Sequence, residues 1–182
     1  MGHFEVNPQV AGLIKTDRKL YYALAQSITS SGLFTQYLYQ DSIFDDDAFL
    51  MWQNAVTSFP VDNPKIIQLN FAHEFLNNYF WFAVYTRMEL DEFMKESGAR
   101  RKENRYYSYQ MQLAEDIFED DLLEFFMATF VCFRSDQIVG QPDDFVNIIR
   151  NFRQKFPRSP YEQFMDPVYR NALAMMDDGE SQ

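Results

Sequence analysis

The sequence predicts an all-α fold, an irregular helical bundle or stacked helix pairs with about seven helices, and three observations carry that expectation. Apolar residues recur with the period of a helix. Glycine is scarce, at 6 of 182 residues, and 5 of the 7 prolines stand where helices would begin or stop. A sheet protein rich in tight hairpins has the opposite distribution. Hydrophobic residues make up 47% of the chain and aromatics 18%. That is enough apolar surface to offset the ordering entropy of one domain without disulfides or metal, which excludes disorder for most of the chain.

Residues 1–16 read as an extended lead-in, 17–176 as one α-helical domain and 177–182 as a polar tail. The first helix, 17–30, places Leu20, Leu24 and Ile28 on one stripe, and Gly32 closes it. A second begins after Asp45, with Phe49, Trp52 and Val56 on one face, and Phe59-Pro60 stops it. Asn63-Pro64 is an N-cap and first-turn pair. From it the apolar pattern runs through Ile67, Phe71, Phe75, Tyr79, Phe82 and Leu90 towards Gly98, as one long helix or two with a break. Its middle, from Tyr79 to Tyr85, is apolar nearly all round, as expected of a central helix. A basic interlude at 99–105 precedes a helix carrying Tyr106, Tyr109, Leu113 and Phe118, and Glu119, Asp120 and Asp121 mark its boundary with the next. That next helix carries Leu122, Phe125, Phe126, Thr129, Phe130 and Phe133. A linker ending in Gly140-Gln141-Pro142 leads to a helix with Phe145, Ile148, Ile149 and Phe152, stopped at Phe156-Pro157. Ser159 to Glu162 spells a capping box with Pro160 in the first turn, opening a last helix that reaches about Met176 and should kink or split at Pro167.

Charge narrows the partners. Lys and Arg number 16 against 27 Asp and Glu, a net charge of −11 that disfavours a phosphate-neutralising surface, so no nucleic-acid partner is expected. No membrane span is expected either, because even the stretch 71–90 is interrupted by His73, Glu74, Asn77, Asn78, Arg87 and Glu89. The opening Met1-Gly2-His3-Phe4-Glu5 has no basic or apolar export signature.

Candidate chemistry is sparse, and no catalytic, cofactor-binding or metal residue is assigned. The single Cys132 excludes an internal disulfide and a Cys-x-x-Cys centre; flanked by Val131 and Phe133, it reads as a small buried hydrophobe. His73 lacks a second ligand at either helical spacing, since positions 76 and 77 are Leu and Asn. Asp45, Asp46 and Asp47 lack the alternating oxygen ligands and the glycine of a calcium loop. The acidic run from Glu115 to Glu124 reads as a solvated face, or as a surface for a basic protein partner. One basic and aromatic cluster stands out in this acidic chain: Arg100, Arg101, Arg105, Tyr106, Tyr107 and Tyr109, a composition that suits a protein interface. The alternative is a solvated turn whose tyrosines cover the edge of the core.

Phe59-Pro60 recurs as Phe156-Pro157, each preceded by a helix and followed by Pro and another, at a separation of roughly three tetratricopeptide periods of about 34 residues. The step Phe156-Pro157-Arg158-Ser159-Pro160-Tyr161, with Phe145, Ile149 and Phe152 before it, resembles the helix-to-helix step of tetratricopeptide-like exported proteins. In particular it is similar to the helical region preceding the thioredoxin domain in TlpA-like thiol-disulfide oxidoreductases of the Bacteroidetes type. The match spans residues 145–173. The resemblance implies a non-catalytic accessory domain that positions an adjacent thioredoxin-like domain or its client, with the redox cysteines in that neighbour and no cofactor here. It further implies a periplasmic or outer-membrane-associated parent protein, whereas a chain complete in itself would be a cytoplasmic adaptor for a basic protein.

Overall fold

The structure is a computed structural model that describes residues 50, 53, 54, 56, 57, 59, 61, 64–68, 70–88 and 90–179. The lead-in 1–16, the expected helix 17–30 and the Asp45–Asp47 entrance lie outside them. Nearly every described residue is helical and none lies in a strand, so the all-α expectation holds. The chain divides into two compact units, Met1–Tyr79 and Phe80–Gln182. The single domain expected over 17–176 includes residues outside the described ones.

In the first unit, helical residues before Phe59 bury Val56, and Phe59 leaves the helix as its Pro neighbour requires. The Phe59 ring stacks on Phe75 at 5.7 Å. A 3₁₀ helix, Pro64–Gln68, buries Ile66 and Ile67 before the chain enters α1, Asn70–Arg87, which continues into the second unit. Of the two alternatives expected over 64–98, one long helix or two with a break, the break is observed, at Met88, and the pattern opens with a 3₁₀ turn. Residues 79, 80 and 82–84 of α1 are all buried, as the all-round apolar run demands.

The second unit continues with α2 (Leu90–Lys102), α3 (Tyr106–Glu115), α4 (Asp120–Phe133), a 3₁₀ helix (Ser135–Gly140), α5 (Pro142–Lys155) and α6 (Glu162–Gly179). Its centre is α4. Every residue from Phe125 to Val131 is buried, against α3, α5, α6 and the 3₁₀ segment. Thr129 tolerates this because its hydroxyl donates to the Phe126 carbonyl at 2.9 Å. Aromatic pairs knit the neighbours onto it: Phe126 meets Phe80 at 5.3 Å and Phe118 at 4.5 Å, Phe130 meets Tyr107 at 6.0 Å, and Phe125 meets Tyr161 at 5.4 Å. Helix α6 turns back on α5 to form a hairpin, laying Met165, Val168 and Ala172 inward.

Five local expectations are corrected. Gly98 does not end α2, which runs to Lys102. Its last turn holds Arg100, Arg101 and Lys102, cations suited to the negative end of the helix dipole. Phe118 lies beyond α3, buried in the turn between α3 and α4. The linker after α4 is a 3₁₀ helix anchored by buried Ile138. The capping box forms only half. Ser159 Oγ accepts from the Tyr161 N–H at 3.1 Å, but Glu162 turns to Arg153 instead, 2.9 Å away. Last, α6 passes unbroken through Pro167 to Gly179, three residues beyond the expected end and into the expected tail. The proline falls in the helix's second turn and is exposed. The carbonyl that loses its donor there belongs to Gln163, also exposed, where water can replace the missing bond.

Candidate functional site

The basic and aromatic cluster lies where α2 gives way to α3, and the local backbone explains its shape. Asn104 adopts a left-handed conformation, φ 54°. The Arg105 N–H bonds back to the Arg100 carbonyl at 2.9 Å and the Asn104 N–H to the Arg101 carbonyl at 3.2 Å. This pair of bonds is a Schellman motif with asparagine in the position glycine usually takes. It reverses the chain within three residues and brings Arg100 and Arg105 to the same side of the junction.

Helix α3 then begins without a side-chain cap of its own. Its first free N–H groups are capped from a distance. Asp144, buried in the first turn of α5, accepts from the Tyr107 N–H at 2.7 Å and the Ser108 N–H at 3.1 Å, and from the Ser108 hydroxyl. Burial pushes the Asp144 carboxyl above its ordinary value, opposed by the Ser108 hydroxyl, the two backbone donors and the charge of Arg105. The carboxylate fastens α5 to the start of α3 and fixes the packing of those two helices.

The six expected interface residues separate into three roles. Tyr107 is core: buried, it meets Phe145 at 5.1 Å and Phe130, and burial raises its hydroxyl pKa. Arg101 stacks over the half-buried Tyr106 with its guanidinium carbon 4.1 Å from the ring centre, an outward-facing pair. Arg100, Arg105 and Tyr109 line a cleft of about 280 Å³. There the Arg100 guanidinium lies 5.9 Å from the Tyr109 ring centre, and the Tyr109 hydroxyl points to Met88 Sδ at 3.8 Å. Burial raises the Tyr109 pKa too. The structure thus brings three of the six to one cavity and assigns Tyr107 to the core edge.

Sequence reading missed the rest of the cleft: Ser108 and Gln112 from α3, Asn147 and Asn151 from α5. A signal existed. Arg105, Ser108 and Gln112 share the spacing i, i+3, i+7 of one helical face, and Asn147 and Asn151 stand one helical turn apart beside the apolar stripe of α5. Two matched polar stripes on helices that pack together form one polar cleft.

Other candidates resolve simply. Cys132 is half-buried, its thiol directed at the Phe164 carbonyl at 3.6 Å, and burial pushes its pKa up to about 11. A thiol so protonated is a poor nucleophile near neutrality. His73 is half-buried on α1, followed at the two ligand spacings by buried Leu76 and half-buried Asn77. Among the described residues no group of three His, Cys, Asp or Glu is placed to hold a metal ion, and no helix is long and apolar enough to cross a membrane. Glu115, Asp116, Glu119, Asp120 and Asp121 crowd the exposed corner between α3 and α4. Comparison with protein-family models, curated proteins and solved structures yields no match to this chain.

Proposed function

We propose that this chain is a non-catalytic helical accessory domain of an exported thioredoxin-like thiol-disulfide oxidoreductase, of the TlpA-like type, and that it positions the redox domain or its client. The α5–α6 hairpin carries this reading. The Phe-Pro-x-Ser-Pro-Tyr step on which the resemblance rests is a folded corner here. The Phe156 ring meets Phe152 at 5.2 Å, Ser159 caps the turn, Tyr161 is buried on Phe125, and Arg153 reaches across to Asp166 at 2.9 Å. Such a corner offers a rigid support from which α6 leads towards whatever follows it. The outward Arg101–Tyr106 pair is the proposed contact with that neighbour or with a client, in keeping with the place of Arg and Tyr at protein interfaces.

The parent gene tests the reading. An in-frame continuation beyond codon 182 into a domain with Cys-x-x-Cys is the expected result, and a stop codon directly after Gln182 overturns it. In an insulin-reduction assay the chain alone should show no turnover, because resolving a mixed disulfide needs a second thiol. Turnover that disappears with Cys132→Ser would equally refute an accessory role.

A second reading is favoured by the five exposed carboxylates at the α3–α4 corner: an acidic adaptor for a basic protein. Salt-sensitive binding of a lysine-rich peptide, abolished by amide substitutions at that corner, is its signature.

A further inference from the structure

We infer that the cleft between α2, α3 and α5 binds a ligand that presents an oxyanion, a carboxylate or a phosphate, on a polar body rich in hydrogen-bonding groups. The charge of the lining is the first argument. Both charged residues in it, Arg100 and Arg105, are cations, and no carboxylate lines it, although the protein carries −11 overall. Nearby acids are already engaged. Glu103 and Glu96 hold the two terminal nitrogens of Arg100, at 3.2 and 3.7 Å, and Asp144 is taken up by the start of α3.

The second argument is a set of unspent donors. Arg100 Nε is buried and has no hydrogen-bond partner among the described residues, a state that buried donors rarely keep. Arg105 makes no ion pair among the described residues and is exposed at the rim. The side-chain amides of Gln112, Asn147 and Asn151 make no hydrogen bond among the described residues either, and they line the same cleft. Guanidinium groups give charge-assisted bonds to an oxyanion, while amides both donate and accept, so they suit a polar ligand body better than an apolar one. The cleft is fixed rather than adaptable, because Asp144 ties together the two helices that supply those amides. It is distinct from the Arg101–Tyr106 contact, so this inference and the accessory-domain reading fail separately.

The test is a titration followed by ¹H–¹⁵N NMR at constant ionic strength, with succinate in one arm and inorganic phosphate in the other. Expected are saturable shifts of the Gln112, Asn147 and Asn151 side-chain amide signals and of the Arg100 Nε–H. The arm that binds more tightly names the source of the oxyanion. Arg105→Gln should weaken binding by about tenfold or more, the worth of one charge-assisted contact. Asn151→Asp puts a carboxylate of the same shape into an exposed position and should abolish binding while leaving the fold intact. Absence of saturable shifts with both anions overturns the inference. So does binding that neither substitution weakens.

Discussion

Asp144 shows how one buried charge organises the second unit. A carboxylate fully removed from water is costly unless hydrogen bonds replace its hydration, and here the beginning of α3 supplies them. Asp144→Ala would leave the Tyr107 and Ser108 N–H groups without an acceptor, and urea denaturation should show a loss of about 2–3 kcal/mol. Asp144→Asn keeps one acceptor and removes the titration. Because burial holds the folded-state pKa above the ordinary 3.8, protonation favours the folded state. That contribution is fully present below the unfolded value and is lost as pH rises through the folded one. The stability of the wild type relative to Asp144→Asn should therefore be greatest at acid pH and decline towards neutrality. A difference that instead grows on going from acid to neutral pH would mean that the hydrogen bonds outweigh burial.

Asn104 governs where one helix stops and the next begins. Asparagine enters the left-handed region more readily than alanine because its short polar side chain can bond locally to the backbone. Asn104→Ala should therefore cost about 1 kcal/mol, whereas Asn104→Gly, with no Cβ at all, should lower the melting midpoint little or not at all. An equal loss in both variants would show that the asparagine side chain, not its backbone conformation, closes α2. This junction also marks the limit of what the sequence discloses. Pro142 and Phe156-Pro157 bound α5 by backbone chemistry alone, and both of its ends are legible. Gly98 looks like a stop yet lies inside α2, because nothing crowds the helix there and the stronger closure comes six residues later. Phe118 continues an apolar stripe on paper, but it is buried from a turn. The cleft was legible only in part. Arg100, Arg105 and Tyr109 advertise themselves by charge and ring, while Asn147 and Asn151 pass for ordinary surface until α5 is known to lie beside α3.

Across the whole molecule the dominant electrostatic fact is the excess of negative charge, −11, with a local concentration of exposed acids at the α3–α4 corner. Mutual repulsion among them opposes the compact state. Surface ion pairs act in the other direction, chiefly Arg153 with Glu162 and Asp166 and Lys155 with Glu115. Each of these exposed or half-exposed pairs is worth no more than about 1 kcal/mol, and salt weakens it as well. Repulsion should win, because 27 acids face only 16 basic residues. Raising sodium chloride from low concentration to well above physiological strength, which shortens the screening length from roughly 30 Å to below 8 Å, should therefore raise the melting midpoint by about 2–4 °C. Chloride is the informative salt, since sulfate stabilises most proteins by exclusion from their surface. The Glu119→Gln variant lowers the charge at the crowded corner; the Glu119 side chain makes no capping bond there. It should melt higher than wild type at low salt and respond less to added chloride. A midpoint that falls with chloride would reverse the ranking, and the attraction within the Arg153 network would then outweigh the repulsion among the acids.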